Sequence, residues 1–294
     1  MKRPPLVSIL IPTYNRADTL GRTLRSILDQ TVRDFEIIVV DDGSTDGTRG
    51  LVESSLQGVS FRYIYQANGG VAKAREAGIR ASRGEYLAFC DSDDLWVPDK
   101  LERQLALFKS GIALVFSDAY ACRETLHQLK ARFRWYELCV PFRGEVYQHL
   151  VRKNFIVTSS VIVRRPFLAD FVAFPLTTVD DWQMWLSVAR RKGLFEYAEQ
   201  PLIYYYEHSQ GISKQKIEAT KARLIVRKYE LEIIKRKAVP DTRFIKAVKL
   251  LILKDTILFW TLNIMPRGIV NNLSVLYYSS LPMRKVLVKL RMGN

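Results

Sequence analysis

FEIIVVDDGSTDGT, Phe35 to Thr48, is the stretch on which the fold turns. Phe35 to Val40 reads as a β-branched, apolar strand covered on both faces. The eight residues after it are rich in turn and helix-capping types, and a short helix to about Leu56 follows. Upstream, Leu6–Ile11 is a second apolar run of strand length. Between the two, Leu20, Leu24, Ile27 and Leu28 fall at helical spacing and predict a helix from about Ala17 to Gln30. Downstream, Phe61, Tyr63 and Tyr65 alternate as a strand, Val71–Ala81 is helical, and Glu85–Cys90 is a fourth strand. Pro98 then opens a helix carrying Leu101, Leu105 and Phe108. The order βαβαβαβ predicts an α/β fold with a mostly parallel central sheet and helices on both faces.

The chain has 294 residues, 48% of them apolar, enough for a large domain with an appendage. Its three cysteines, Cys90, Cys122 and Cys139, have no CxxC spacing and argue for a reducing compartment. The apolar run near the N-terminus is too short for a signal peptide. No stretch of about 18 uncharged apolar residues predicts a transmembrane helix. The net charge is +15, unevenly spread. From Gly211 onward there are 18 Lys and Arg against 5 Asp and Glu, a surplus of 13 that leaves +2 for the first 210 residues. That asymmetry suggests a near-neutral body with a basic tail aimed at something acidic.

In parallel sheets of this kind ligands bind at the carboxyl ends of the strands. Three clusters fall there: Pro12-Thr13-Tyr14-Asn15, Asp41-Asp42-Gly43-Ser44 and Asp91-Ser92-Asp93-Asp94. The last sets three carboxylates within four positions, with no Lys or Arg between Glu85 and Lys100. Like charges so close raise one another's pKa unless something positive compensates. A missing cation is therefore the first suspect, and hard oxygen ligands suit Mg²⁺ or Mn²⁺. The plainer reading is a solvated turn ahead of the Pro98 helix. Asp42 is suited to accept hydrogen bonds from a base or ribose, or else to close an Asx-turn. Tyr14 is placed to stack on a planar base, or is an ordinary loop aromatic. Arg75, on the helix after Asn68-Gly69-Gly70, is a candidate for phosphate or for the acidic cluster, against a surface arginine. Asp180-Asp181 precedes a helix rich in Trp and Leu. One of them could be a general base, or simply a cap. His208 follows Tyr204-Tyr205-Tyr206 and is either structural or a ligand.

At this point the motifs resemble a known family. VSILIPTYNRADTLGRTLRSILDQTVRDFEIIVVDDGSTDGT, Val7 to Thr48, closely resembles the opening of the family 2 glycosyltransferases, which have the GT-A fold. NGGVAKAREAGIRASRGEYLAFCDSDDLWVPDKLE, Asn68 to Glu102, resembles their second block. Asp180-Asp181 with Trp185 and Leu186 is similar to a later block, and His208 and Ser213 to the closing segment. The resemblance implies an inverting transfer of a sugar from a nucleotide-diphosphate donor, most often a UDP-sugar, to a hydroxyl of a saccharide acceptor. It implies that Pro12, Tyr14 and Asp42 hold base and ribose, that Arg75 approaches the base or diphosphate, and that Asp91 and Ser92 border the sugar nucleotide. By the same resemblance Asp93 is the main ligand of a divalent metal, Mg²⁺ or Mn²⁺, joined by His208, and Asp181 is the catalytic base. Departures stand at Glu76, at Asp180 and at Tyr206, where the family usually has Asn, Glu and Arg.

The expected organisation is a catalytic domain over 1–213 and a basic, amphipathic helical extension over 214–294. The catalytic domain has a nucleotide-sugar half to about 112 and an acceptor half from about 113. In the acceptor half, Ile112–Phe116, Val157–Val163 and Leu202–Tyr206 read as strands and Asp181–Arg190 as a helix. In the extension, Ile217, Leu224, Leu231 and Ile234 share one face. Phe244, Val248, Leu251 and Leu258 form a second stripe with Lys246, Lys249 and Lys254 interleaved. With Trp260, Tyr277 and Tyr278 this suits an anionic membrane surface. The family resemblance then implies a cytoplasmic protein, peripheral on the inner face of the plasma membrane, working on a polyprenyl-diphosphate-linked acceptor. Two other classes compete. A sugar-phosphate nucleotidyltransferase would carry a Gly-rich, Arg-containing loop where this chain has Pro12-Thr13-Tyr14-Asn15. A nucleic-acid-binding protein would explain the basic tail but not acidic groups at three strand ends, so no nucleic-acid partner is expected.

Overall fold

The computed structural model describes residues 3–123, 131–137, 139–173, 179–207, 216–236 and 241–264. By packing, the chain divides into two compact units, residues 1–209 and 210–294. The boundary expected after residue 213 lies outside the described residues, as do His208, Ser213, Tyr277 and Tyr278.

In the first unit, β1 (Val7–Thr13), α1 (Leu20–Leu28), β2 (Phe35–Asp41), α2 (Thr48–Ser55), β3 (Phe61–Tyr65), α3 (Val71–Ala81) and β4 (Tyr86–Phe89) follow the predicted alternation. Then come β5 (Leu95–Trp96), α4 (Lys100–Leu105), β6 (Ile112–Arg123), β7 (Ala131–Arg134), α5 (Tyr147–Arg152), β8 (Ile162–Arg164), α6 (Asp180–Arg190) and β9 (Leu194–Glu207). They form one sheet in the order β3-β2-β1-β4-β8-β6-β9-β5, with β7 on β6. Strands β3, β2, β1 and β4 are parallel. Strand β8 runs antiparallel to β4 and to β6, and β6 and β9 pair parallel.

The pleat sorts each strand's side chains by parity. Ile9, Ile11, Ile37 and Val39 pack with Leu20, Leu24 and Ile27 of α1, Val52 of α2 and Leu56 just after it. Ile38 and Val40 pack with Ala74 of α3 on the opposite face. Covering both faces is what made β2 read as a nearly continuous apolar run, broken by Glu36, which pairs with Arg62 and Arg83. Each such fully buried Ile or Leu contributes about 1.5–3 kcal/mol. Helix α3 lies so close that a Cβ on Gly78 would stand 2.9 Å from Leu10 Cδ2. Because the connection from β1 leads one way to β2 and the chain returns to place β4 on β1's other side, strand order reverses at β1/β4. The crevice at their carboxyl ends is where open α/β sheets bind ligands.

One strand expectation is corrected. Val157–Val163 is not continuous: Thr158–Ser160 is a 3₁₀ turn and only Ile162–Arg164 is strand. Hydroxyl side chains that bond locally compete with a ladder, and Ser160 Oγ donates to the carbonyl of Val157 at 2.6 Å. Two other strands are longer than predicted, β6 and β9, because they pair with each other along almost their whole length.

The second unit contains α7 (Lys216–Lys235) and α8 (Thr242–Ile264), which pack along each other. Leu231 and Ile234 are buried but Ile217 is exposed. Ile217 lies in the first turn of α7. Phe244, Val248 and Leu258 are buried, and so is Asp255, which pairs with Arg227 and Arg223. Leu250, Leu253, Ile257 and Trp260 are exposed. No helix among the described residues is long and apolar enough to cross a membrane.

Candidate active site

Pro12 is buried in β1, opposite Val40 of β2. Its missing N–H costs nothing there: the β1–β4 ladder ends at Leu10 and Phe89, before Pro12 would need a partner on that side. The loop after β1 is laced to the loop after β2. The amide of Asn15 donates to Ser44 Oγ and the amide of Thr45 to Asn15 Oδ1, both at 2.8 Å. Asn15 takes a positive φ of 49°, which Asn tolerates. Tyr14 at the tip is 48% exposed.

The adjacent carboxylates Asp41 and Asp42 are both buried and do different work. Asp41 accepts from the amide of Ser44 and the hydroxyl of Tyr63, closing its own turn. Asp42 accepts from Gln66 Nε2 at 2.7 Å and from the amides of Gly69 and Gly70 at 3.0 and 2.7 Å. It thereby ties the end of β2 to the start of α3. Gly43 makes this possible, with φ of +89° and the backbone of Asn68 only 3.0 Å from where a Cβ would stand.

The acidic cluster at the end of β4 has cations that no local sequence shows. Arg75, buried on α3, puts Nη2 2.5 Å from Asp91 Oδ1 and Nη1 2.6 Å from Asp180 Oδ2. Arg16 Nη2 lies 3.6 Å from Asp93 Oδ2. Lys100 does not serve the cluster. Its ammonium lies 4.1 Å from the centroid of Trp96, and burial lowers its pKa to about 7. Burial raises the Asp91 carboxyl and Asp93 adds to the rise, while Arg75 opposes it. Asp94 is wholly buried, and accepts from Ser159 Oγ at 2.5 Å and from the amide of Tyr206 at 3.1 Å. Ser92 is buried, and its carbonyl accepts from Thr19 Oγ1 at 3.1 Å.

Asp180 and Asp181 occupy the first turn of α6, where the helix dipole favours negative charge. Asp180 turns to Arg75. Asp181 Oδ2 accepts from Asn154 Nδ2 and Thr158 Oγ1, each at 3.0 Å, and Oδ1 from the amide of Trp182 at 2.6 Å. Burial and the neighbouring charge of Asp180 push its pKa up to about 6, against the pull of Arg75 and the Thr158 hydroxyl. A carboxylate so tuned is placed to take a proton near neutral pH.

The tertiary structure thus joins Arg75, Asp91 and Asp180 directly, and sets Asp181 next to them. Tyr14, Asp42, Ser92 and Asp93 stand on the same rim of strand ends. Asn154, Thr158, Ser159 and Arg16 were not singled out in the sequence. Their types are common and no spacing marks them; only the packing of α5, the 3₁₀ turn and the first loop brings them here. The departure at Glu76 is explained locally: it pairs with Lys73 and Arg80 and accepts from the amide of Ala173 at 3.2 Å. Two positions before His208, where the family often has Arg, the Tyr206 ring is buried under the Arg22 guanidinium, 5.6 Å from its centroid.

As for metal, among the described residues no three His, Cys, Asp or Glu side chains converge. Asp91 Oδ2 accepts no hydrogen bond among them, Asp93 lies two residues on, and both side chains reach solvent. Two hard carboxylate ligands with room for substrate oxygen fit a divalent ion of the Mg²⁺ or Mn²⁺ kind.

The glycosyl transferase family 2 profile matches residues 8–169, more than half the chain. The putative teichuronic acid biosynthesis glycosyltransferase TuaG of Bacillus subtilis is 31% identical over 229 residues, 74% of this chain and 85% of TuaG. WfgD of Escherichia coli, a UDP-Glc:α-D-GlcNAc-diphosphoundecaprenol β-1,3-glucosyltransferase, is 30% identical over 190 residues, 63% of this chain and 70% of that one. The chain spans about a third of the length of another relative, an uncharacterized glycosyltransferase of Rickettsia conorii. In fold it matches S. aureus TarS 1–349 in complex with UDP-GlcNAc, with a TM-score of 0.68 at 16% identity over 95% of this chain and 82% of that one. It also matches the mannosyltransferase PcManGT of Pyrobaculum calidifontis in complex with GDP-Man and Mn²⁺, with a TM-score of 0.63 at 17% identity over 96% and 83%. The chain belongs to glycosyl transferase family 2 and has the GT-A fold.

Proposed function

We propose that the protein is an inverting glycosyltransferase that moves a sugar from a nucleotide-diphosphate donor, a UDP-sugar, to a hydroxyl of a lipid-linked saccharide in the assembly of a surface glycan. The observation that carries this is the meeting of Asp91, Arg75 and Asp180 at 2.5 and 2.6 Å, with the raised carboxylate of Asp181 beside them. A donor-side acidic turn and an acceptor-side base come together at the switch point of the sheet. The names of TuaG and WfgD point to glycan assembly, and WfgD to a lipid-linked acceptor.

Tyr14 stacks on the base, and Pro12 and Asp42 shape the loop that receives base and ribose. Arg75 orients Asp91 toward the donor while holding Asp180, and with it the first turn of α6. Asp181 takes the proton from the acceptor hydroxyl. The oxygen attacks the anomeric carbon opposite the leaving group, the bond from that carbon to the diphosphate oxygen breaks, and the nucleoside diphosphate leaves with the bonding pair. Asp93 and Asp91, with His208 as a further candidate, would hold a divalent ion, which would supply positive charge to offset that of the leaving diphosphate. The exposed Leu250, Leu253, Ile257 and Trp260 of α8, among Lys246, Lys249 and Lys254, favour docking of the basic unit on the anionic inner face of the membrane.

The test is calorimetric titration of UDP, GDP and dTDP into the protein with Mn²⁺ and then with EDTA, followed by transfer assays with conjugates of the nucleotide that binds. Metal-dependent binding of UDP that is lost in Asp93→Ala is the expected result. Folded protein that binds none of the three overturns the reading.

A further inference from the structure

We propose that Asp94 and Ser159 are positioning residues: a directed hydrogen-bond chain from the Asp91 amide through Ser159 to Asp94 sets the donor-side turn. The inference rests on the reading of Asp91 as a donor-site residue. The starting point is that Asp94 is a fully buried carboxylate that the transfer reaction does not use. Both of its hydrogen-bond partners are donors, Ser159 Oγ at 2.5 Å on Oδ2 and the Tyr206 amide at 3.1 Å on Oδ1. Burial, with Asp93 and Asp91 close by, pushes its carboxyl well above the usual carboxylate range against the two hydrogen bonds, so its place in the fold needs an explanation.

Ser159 supplies it. Its one hydroxyl proton goes to Asp94, which leaves the oxygen's lone pairs for the amide of Asp91, 2.9 Å away. The links run Asp91 N–H to Ser159 Oγ and Ser159 O–H to Asp94 Oδ2. A carboxylate is the terminus that accepts from both Ser159 and Tyr206; an Asn has a single oxygen for these two donors, so with that oxygen on the Tyr206 amide the Ser159 hydroxyl proton loses its acceptor. The turn that carries Ser159 is itself pinned, since Gln104 Nε2 donates to the carbonyls of Ser160 at 2.8 Å and Val115 at 3.2 Å. The residue before Ser159, Thr158, bonds Asp181. One two-residue step therefore indexes the donor-side turn against the acceptor-side base. That is the spacing on which positioning in a displacement depends.

The experiment measures two quantities in wild type, Ser159→Ala, Asp94→Asn, the double variant and Ser160→Ala. One is UDP affinity with Mn²⁺, by calorimetry. The other is amide hydrogen exchange of the segment 89–95. Ser160→Ala is the control, because it removes a buried hydroxyl from the same turn with no link to Asp91. Ser159→Ala and Asp94→Asn are expected to speed exchange of the segment and to weaken UDP binding about tenfold. The double variant should be no worse than the weaker single, as for two members of one chain. Ser160→Ala should leave UDP affinity alone. Unchanged exchange in Ser159→Ala overturns the chain. Equal loss of UDP affinity in Ser159→Ala and Ser160→Ala, or additive losses in the double variant, overturns the positioning role. Wild type that binds no UDP overturns the donor-site reading and the positioning role together. The exchange result then still shows whether the hydrogen-bond chain exists, so the two failures are told apart.

Discussion

Arg75 and Asp180, 105 residues apart in the chain, meet at 2.6 Å with both side chains buried. The same guanidinium holds Asp91, so removing it strands two carboxylates at once. Breaking a buried pair by deleting one partner costs about 3–5 kcal/mol. Arg75→Ala is therefore expected to lose about that much stability by chemical denaturation, and to lose nucleotide binding with it. Asp180→Asn, which leaves one pair intact, should cost less. Equal stability of Arg75→Ala and wild type would sink the account of this bridge.

Asp181→Asn keeps an oxygen for Thr158 but cannot take a proton. It should retain UDP binding and lose transfer by about 10²–10⁴-fold. A variant that transfers at wild-type rate would move the base elsewhere.

The pH dependence follows from the same group. A carboxyl raised to about 6 in the fold is ionised, and competent as a base, only above that pH. Transfer should rise as pH passes through about 6 and then level off. The charged groups facing Asp181 are Asp180 and Arg75. Losing the Thr158 hydroxyl removes a bond that favours the ionised form, so Thr158→Val should move this limb to higher pH. The stability sign is opposite to that of an ordinary salt-bridged Asp: the ionised form is disfavoured in the fold, so the contribution of Asp181 to stability falls as pH rises from its ordinary value toward 6. A limb unmoved by Thr158→Val would count against Asp181 as the titrating base.

Gly43 at φ +89° carries the turn through which Asp42 reaches Gly69 and Gly70. Gly43→Ala should destabilise by about 1–3 kcal/mol. Thermal denaturation of the variant checks this, and no change in midpoint would mean that the turn relaxes freely.

The exposed face of α8 predicts binding to vesicles. The protein should sediment with anionic vesicles and not with neutral ones. Replacing Leu253 and Ile257 together by Glu should abolish this, and raising salt should weaken it through the screened Lys contacts. Sedimentation that survives the double replacement would assign the membrane contact to another surface.

Much of the first hundred residues was legible because their physics is local. A strand buried on both faces must be apolar throughout, as Phe35–Val40 nearly is. A tight βα turn needs Gly and capping residues, as Asp41–Thr48 shows, and a helix laid on a sheet shows its period, as Val71–Ala81 does. Family motifs then pointed to Asp42, Asp91, Asp93 and Asp181. What the sequence could not decide is what compensates the carboxylates. Between Glu85 and Lys100 there is no cation, and the nearest in sequence, Lys100, turns to Trp96. The guanidiniums come from Arg16 and Arg75, brought in by the loop after β1 and by α3. Nor could it show that Val157–Val163 breaks into a turn whose hydroxyls bond Asp94 and Asp181. A run of apolar and small hydroxyl residues satisfies a strand and a 3₁₀ turn equally well in isolation. Which one forms depends on the donors and acceptors that other elements present to it. Pattern within a segment sets its type, while the pairing of buried charge and hydrogen bonds between segments is decided only when the chain closes on itself.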